Sequence, residues 1–273
     1  MCAPFVLEYT RAALSRRAFI GAAASAGAAA VVSAAQGSEK PSPRTFRTAV
    51  DLTHPFSPSL PVYPGYRPIQ VRERFSIGRD GFSANEVTFD EHTGTHVDAP
   101  SHFVRDGASA DRIAVDRLVA PLAVVSIADR AARNTDALVT ANDLLEWEKR
   151  HGRLPAGAFV AMHAGWGARV ASVERFLNRD AKGVLHMPGF SEEAARFLVQ
   201  QRDVAGVGVD TLSLDPGNAQ AFAAHIAILG AGKYGVEMIA NLDRVPPAGA
   251  TIVVGAPKHA GGTGGPARVL ALI

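Results

Sequence analysis

Short stretches in which apolar and polar positions alternate with a period near two mark the first strands of this chain. Ala49–Leu52 reads as a strand that ends in the turn-rich Thr53-His54-Pro55, and Ile69–Phe75 and Ala84–Phe89 read as a second and third. Leu60-Pro61-Val62-Tyr63-Pro64-Gly65 between them is a rigid loop carrying an aromatic residue. Pro121–Ile127, Ala158–Met162 and Val204–Val209 are unbroken apolar runs of the length of buried strands. The chain closes with Thr251–Gly255 and Arg268–Ile273, two strands around the turn Gly261-Gly262-Thr263-Gly264-Gly265.

Helical patterns fall between these strands. Thr140 or Asn142 can cap a helix containing Leu144, Leu145 and Trp147 that stops at Gly152. Ser191 can cap Glu192–Gln201, whose first two acids suit the positive end of the helix dipole, and a third helix is expected around Ala219–Leu229. Strands interleaved with helices predict one α/β domain over residues 48–273. Some early connections are too short for parallel crossovers, so the sheet is expected to be mixed and flanked by helices.

The amino-terminal segment has a different character. Arg11, Arg16 and Arg17 face a single acid, Glu8, within the first 34 residues. Ser15-Arg16-Arg17-Ala18-Phe19-Ile20 resembles a twin-arginine export signal, followed by a weakly apolar run to Val32 and a small-residue cleavage site near Ala34. That run is short of the ~20 residues a membrane span needs, so no stable membrane insertion is expected. Residues 1–34 are thus predicted to be a signal peptide that engages the twin-arginine machinery and delivers the protein to the periplasm. Residues 35–47, polar and carrying two prolines, read as a flexible leader.

Processing changes the charge argument. The whole chain of 273 residues has 28 Lys and Arg against 26 Asp and Glu, a net charge of +2. Loss of three arginines and one glutamate with the signal leaves zero, which removes the case for a nucleic-acid partner. The single cysteine, Cys2, leaves with it. Any metal is then held by nitrogen and oxygen ligands.

One segment concentrates chemistry. His92-Thr93-Gly94-Thr95-His96-Val97-Asp98-Ala99-Pro100-Ser101-His102 holds three of the nine histidines and a carboxylate within 11 residues. Histidines at i and i+4 converge on one ion if the segment is locally helical, and Asp98 adds an oxygen ligand without another turn of chain. His102, six residues beyond His96 and past a proline, is placed to sit beside such an ion, where a histidine can carry protons. The plainer alternative is three separately satisfied surface histidines.

The string HTGTHVDAPSHF resembles the metal-binding motif of the cyclase family of hydrolases, which includes bacterial kynurenine formamidases and isatin hydrolases. Supporting matches run from Asp51-Leu52-Thr53-His54-Pro55 through Tyr63-Pro64-Gly65, Gly165-Trp166 and Gly208-Val209-Asp210-Thr211 to Gly264-Gly265-Pro266-Ala267-Arg268. The resemblance implies the swivelling β/β/α fold of that family. It implies His92, His96 and Asp98 as ligands of a first divalent metal, zinc or manganese, with His225 and Glu237 joining Asp98 around a second in members that bind two ions. It implies His102 as proton donor and acceptor, and Tyr63, Trp166 and Asp210 near the substrate. Two departures concern substrate choice: Tyr63 stands where kynurenine formamidases carry Trp, and His163-Ala164 stands where many relatives have a Thr-type residue.

The activity so implied is hydrolysis of the C–N bond of a small cyclic amide or N-acyl arylamine, isatin-like or N-formylkynurenine-like, by a metal-activated water, in a protein that forms homo-oligomers. A lactone or ester hydrolase using the same site, and a non-catalytic exported protein that binds metal or a small molecule, are the alternatives. Other motifs point elsewhere only weakly. Gly230-Ala231-Gly232-Lys233-Tyr234-Gly235 fits the dinucleotide fingerprint, yet it follows a predicted helix and precedes the strand-like Val236–Ile239, the reverse of the order a pyrophosphate site needs. No G-x-S-x-G elbow occurs. Asp210 reads equally as a pocket rim residue or a loop cap, Trp166 as core or pocket wall rather than a cation–π partner, and His151, His186 and His259 as surface residues.

Overall fold

The computed structural model describes residues 45–273; the predicted signal and the leader up to residue 44 lie outside them. Ordered pairing begins one residue before the expected start, where Arg47 N donates to Ile273 O at 2.7 Å. The first half contains β1 (Ala49–Asp51), β2 (Gln70–Phe75), α1 (Ile77–Asp80), β3 (Ala84–Thr88), β4 (His96–Asp98), β5 (Val119–Ser126), α2 (Ala128–Arg133), β6 (Leu138–Val139) and α3 (Ala141–His151). There follow β7 (Phe159–His163), α4 (Val173–Leu177), β8 (Gly189–Phe190), α5 (Glu192–Gln201), β9 (Gly206–Val209), α6 (Ala223–Gly230), β10 (Tyr234–Glu237), β11 (Ala250–Gly255), β12 (Gly264–Pro266) and β13 (Arg268–Leu272).

Nine strands form one sheet in the order β1-β13-β11-β5-β7-β9-β10-β4-β12. Its centre, β5-β7-β9-β10, is parallel, and the flanking strands pair antiparallel, so the sheet is mixed as expected. Residues alternate across it. In β7, Val160 and Met162 face α3 and α5, whereas Phe159 and Ala161 face a second apolar layer with Leu52, Leu122, Val236, Ile252 and Val269. Glycines in β9 make that layer possible: a Cβ at Gly208 would fall 2.8 Å from the Phe159 ring, and one at Gly206 2.7 Å from Tyr234 O. The hairpin β2–β3 stands outside the main sheet.

The helix signals hold with one shift. Thr140 caps α3 in a reciprocal capping box with Asp143, and the Ser191 side chain accepts from Ala194 N at the start of α5. The third helix begins at Ala223, not near Ala219. The Asp215 carboxylate accepts the N–H groups of Ala224 and His225, at 2.7 and 3.1 Å, and this fixes the first turn. The Gly230–Gly235 stretch leads out of α6 and into β10, helix then strand, and carries Glu237 into the sheet.

Candidate metal centre

The histidine segment is not helical. His92 lies in the loop before β4, while His96 and Asp98 are strand residues two apart and share one face. Pairing decides this: β4 lies between β10 and β12, with His96 opposite Glu237 and Asp98 opposite Gly235 on one side and Gly264 on the other. Val97 and Val236 point into the apolar layer of the opposite face. His96, Asp98 and Glu237 therefore converge on the face that α6 covers, and α6 delivers His225 to the same place.

Two ligand groups result, His92–His96–Asp98 and Asp98–His225–Glu237, each with its donor atoms within 4.8 Å of one another and with Asp98 common to both. His92 Nδ1 is 2.6 Å from Asp98 Oδ1, and His96 Nε2 lies 3.3 Å from Asp98 Oδ1 and 3.4 Å from Glu237 Oε2. His225 Nε2 is 3.1 Å from Glu237 Oε1 and 3.6 Å from Asp98 Oδ2. Asp98 is 1% exposed and His96 2%.

Each imidazole is held from behind. His96 Nδ1 donates to Gly94 O at 2.8 Å, and His225 Nδ1 donates to Asp215 Oδ2 at 2.6 Å. His92 Nε2 donates to Thr263 Oγ1 at 3.0 Å. These bonds occupy one N–H of each ring and leave the inward nitrogen to present its lone pair, the arrangement found behind metal-bound histidines. Among the described residues, His96 Nε2 and Asp98 Oδ2 are buried without a hydrogen-bond partner. Buried polar atoms are costly when unpaired, and a cation between them removes that cost. The donor set, three imidazoles and two carboxylates, fits a divalent metal.

Without a cation, protons take its place. Burial opposes charge on His96, but the nearby Asp98 and Glu237 carboxylates outweigh it and bring its pKa up to about 9. His225 is likewise raised: burial opposes its charge, and Asp215, Asp98 and Glu237 overcome it. Burial and the Asp98 charge push Glu237 up, while Asp98 itself is held well below the usual carboxylate range by the histidines around it, against burial.

His102 belongs to neither ligand group. Pro100 starts a 3-10 turn, Pro100–His102, that lifts the ring off the ligand cluster and stacks it on His92 with centroids 3.7 Å apart. Burial pushes its pKa down to about 4, so the ring is neutral at neutral pH. It opens on a cavity of about 230 Å³ whose other walls include Tyr63, Tyr66, Phe103, Leu212 and Phe222. Phe103 stacks on His225 at 4.7 Å.

Tyr63 lines this cavity, whereas Trp166 and Asp210 do not. Asp210, at the end of β9, is buried and accepts Ala164 N and Trp166 N at 2.8–3.1 Å, tying β9 to the loop after β7 as a loop cap does. Trp166 is 1% exposed and donates through Nε1 to Phe176 O, with Arg169 Cζ 3.8 Å from its ring centroid, so it is a core residue that also meets a cation. His151 and His259 are exposed; His186 is partly covered by its pairing with Asp136 at 2.9 Å. Asp215, Thr263 and Glu91 escaped the sequence reading. For Asp215 there was a signal, an acidic residue a few positions before a predicted helix.

Known proteins resemble this chain over most of its described length. The family model described as "Putative cyclase" matches residues 50–216. Isatin hydrolase from Roseibium aggregatum is 32% identical over 242 residues, covering 82% of this chain and 91% of that protein. Kynurenine formamidase from Salinibacter ruber is 27% identical over 229 residues, covering 81% and 95%. Among solved structures, isatin hydrolase A from Ralstonia solanacearum superposes with a TM-score of 0.79 at 38% identity, covering 83% of this chain and 92% of that one.

Proposed function

The chain belongs to the cyclase family of metal-dependent hydrolases, and on that premise we propose that it opens the C–N bond of a small, uncharged, aromatic cyclic amide of the isatin type. The observation that carries this reading is the cavity beside the ligand cluster. Its walls are largely aromatic and aliphatic, and among the described residues no Lys or Arg lines it. A planar bicyclic lactam fits such a slot, whereas the amino-acid end of an N-formylkynurenine would enter with no cation to meet its carboxylate.

In this proposal His92, His96 and Asp98 hold one ion, zinc or manganese, and His225 and Glu237 join Asp98 if a second is bound. A bound dication supplies a water acidic enough to ionise near neutral pH and draws electrons from a carbonyl. His102, neutral and off the ligand cluster, takes the proton of the attacking water and returns it to the leaving nitrogen as the C–N bond breaks. Water is consumed, and the product carries an amine and a carboxylic acid that releases its proton to solvent as the carboxylate. Phe103 and Phe222, 5.4 Å apart, and Tyr63 and Tyr66, 6.0 Å apart, are the walls against which the ring system would pack, with its amide toward the ligand cluster and His102. The apolar walls do not favour the anionic product, which assists its release.

We further propose that the protein assembles with a second copy of itself and is exported. The hairpin β2–β3 is exposed along its whole length, with Val71 opposite Val87 and Phe75 packed 4.8 Å from Phe82. A two-stranded ribbon is marginal when nothing covers it, and a second copy of the chain is the cover we assign. The Arg16-Arg17 signal supports twin-arginine export of the folded, metal-loaded protein to the periplasm. Light scattering and cell fractionation check these two points: a monomer sinks the first, and an Arg16→Lys, Arg17→Lys precursor that is exported normally sinks the second.

The decisive experiment combines elemental analysis of the purified protein with a hydrolysis screen of isatin, N-formylkynurenine, aryl formamides and simple lactones. Turnover of isatin well above N-formylkynurenine is the expected result. Preference for lactones makes the protein an ester hydrolase, and a metal-filled protein that turns over none of them is a binding protein.

A further inference from the structure

Of the three histidines in the ligand groups, His92 alone is backed by neither a backbone carbonyl nor a carboxylate. Its Nε2 meets the Thr263 hydroxyl at 3.0 Å, and that hydroxyl is 2.6 Å from Glu91 Oε2, which also accepts Thr263 N at 3.1 Å. An ionised carboxylate can only accept, so the hydroxyl proton goes to Glu91. Thr263 then offers His92 a lone pair, Nε2 must carry the ring's N–H, and Nδ1 is left to face Asp98. The side chain of Glu91 therefore selects which nitrogen of its own neighbour is free.

The strand that brings Thr263 here has no room for anything else. Thr263 O accepts Ala99 N at 2.9 Å, and β12 pairs with β4 so that Gly264 lies opposite Asp98. A Cβ at Gly264 would sit 2.6 Å from His92 Cε1 and 2.2 Å from Val97 O, and one at Gly262 2.9 Å from Glu91 Oε1. The glycines flanking Thr263 let the backbone lie directly against His92 and Glu91. A side chain there would push this edge of the sheet, and Thr263 with it, off the ring.

We propose that Glu91 and Thr263 are positioning residues for metal binding. They lock His92 as an Nδ1 ligand, so that the glycine-rich carboxy-terminal strand completes the His92–His96–Asp98 group. The Asp98–His225–Glu237 group, backed by Asp215, does not depend on it. This inference rests on the metal-centre reading above.

The test is metal affinity of the full chain, measured by chelator competition with Zn²⁺ and Mn²⁺, together with the visible spectrum of the Co²⁺-loaded protein. Thr263→Val keeps the shape and removes the hydroxyl; Thr263→Ser restores it. Glu91→Ala frees the hydroxyl to turn its proton toward His92. Loss of such outer partners costs typically about 10–100-fold in metal affinity. Thr263→Val and Glu91→Ala are expected to fall in that range with an altered Co²⁺ spectrum, and Thr263→Ser to stay within about threefold of the parent. If Thr263→Val proves unfolded by circular dichroism, Glu91→Ala and Thr263→Ser carry the test. Parent-like affinity and spectrum in the hydroxyl-free or Glu91→Ala protein overturn the proposal. Failure of the parent protein itself to bind any of the three ions overturns the metal-centre reading instead.

Discussion

Asp215 Oδ2 lies 2.6 Å from Nδ1 of His225, and the same carboxylate caps the helix on which His225 sits through the N–H groups of Ala224 and His225. One buried side chain thus fixes both the start of α6 and the tautomer of a ligand on it. Asp215→Ala is expected to lose the cap, worth about 1 kcal/mol, and the ring orientation, worth about 10–100-fold in metal affinity. Asp215→Asn keeps an acceptor for the ring and should be intermediate. Thermal melts and chelator competition on the two variants separate the contributions; parent-like metal affinity in Asp215→Ala would show that α6 alone places His225.

Metal-free and metal-loaded protein should respond to pH with opposite sign. In the absence of metal, His96 has a pKa raised to about 9 against an ordinary 6.5. Its contribution to stability is full below 6.5 and is lost as pH rises through 9, so the melting temperature of chelator-treated protein falls over that window. A metal must displace that proton and the one on His225, so apparent affinity rises over the same window by up to about tenfold per pH unit for each proton released. Calorimetric titrations in buffers of different ionisation heat count the protons. Affinity that is flat from pH 6.5 to 9 would mean the rings are already neutral.

The chemistry at this centre was legible where it depended on residue identity and unreadable where it depended on contacts distant in sequence. The runs that became β5, β7 and β9 declared themselves because parallel strands covered on both faces are apolar throughout. β4 did not, because two of its three residues are His96 and Asp98, and an i, i+4 pair of histidines is also compatible with a local helix. Thr263 meets His92 across 171 positions, and no local pattern announces that. The start of α6 was misplaced because its cap is a side chain nine residues upstream of Ala224. Trp166 and Asp210 were placed near the substrate by resemblance alone, and Asp210 instead bonds to the backbone of the Trp166 loop, with both side chains buried.

Gly235 stands opposite Asp98 in the β10–β4 pair, where a Cβ would come 3.2 Å from Asp98 Oδ2 and 2.9 Å from Leu214 Cδ1. The leucine end can turn aside, but Asp98 is fully buried and its Oδ1 is fixed by His92 Nδ1 at 2.6 Å. Gly235→Ala should therefore displace a carboxylate oxygen by a few tenths of an ångström and weaken binding at both groups together, unlike Thr263→Val, which touches one. Zn²⁺ stoichiometry and affinity measured on both variants make the comparison. A Gly235→Ala protein that loads like its parent would show that the Asp98 side chain has slack to yield.

His102→Ala separates proton transfer from metal holding. The ring stacks on His92 but belongs to neither ligand group, so elemental analysis of the variant should give the parent's metal content. Hydrolysis should fall by about 10²–10⁴, the usual worth of a positioned acid–base group. Burial keeps the His102 pKa down near 4, so in the parent its base form persists on acidification to well below neutral pH. The acid limb of kcat/KM then reports proton competition for the metal ligands, and it should shift with the identity of the loaded metal. Loss of metal along with activity in His102→Ala would make His102 a ligand, and the proton carrier would have to be sought among the other polar groups of the cavity, Tyr63, Tyr66 and Ser213.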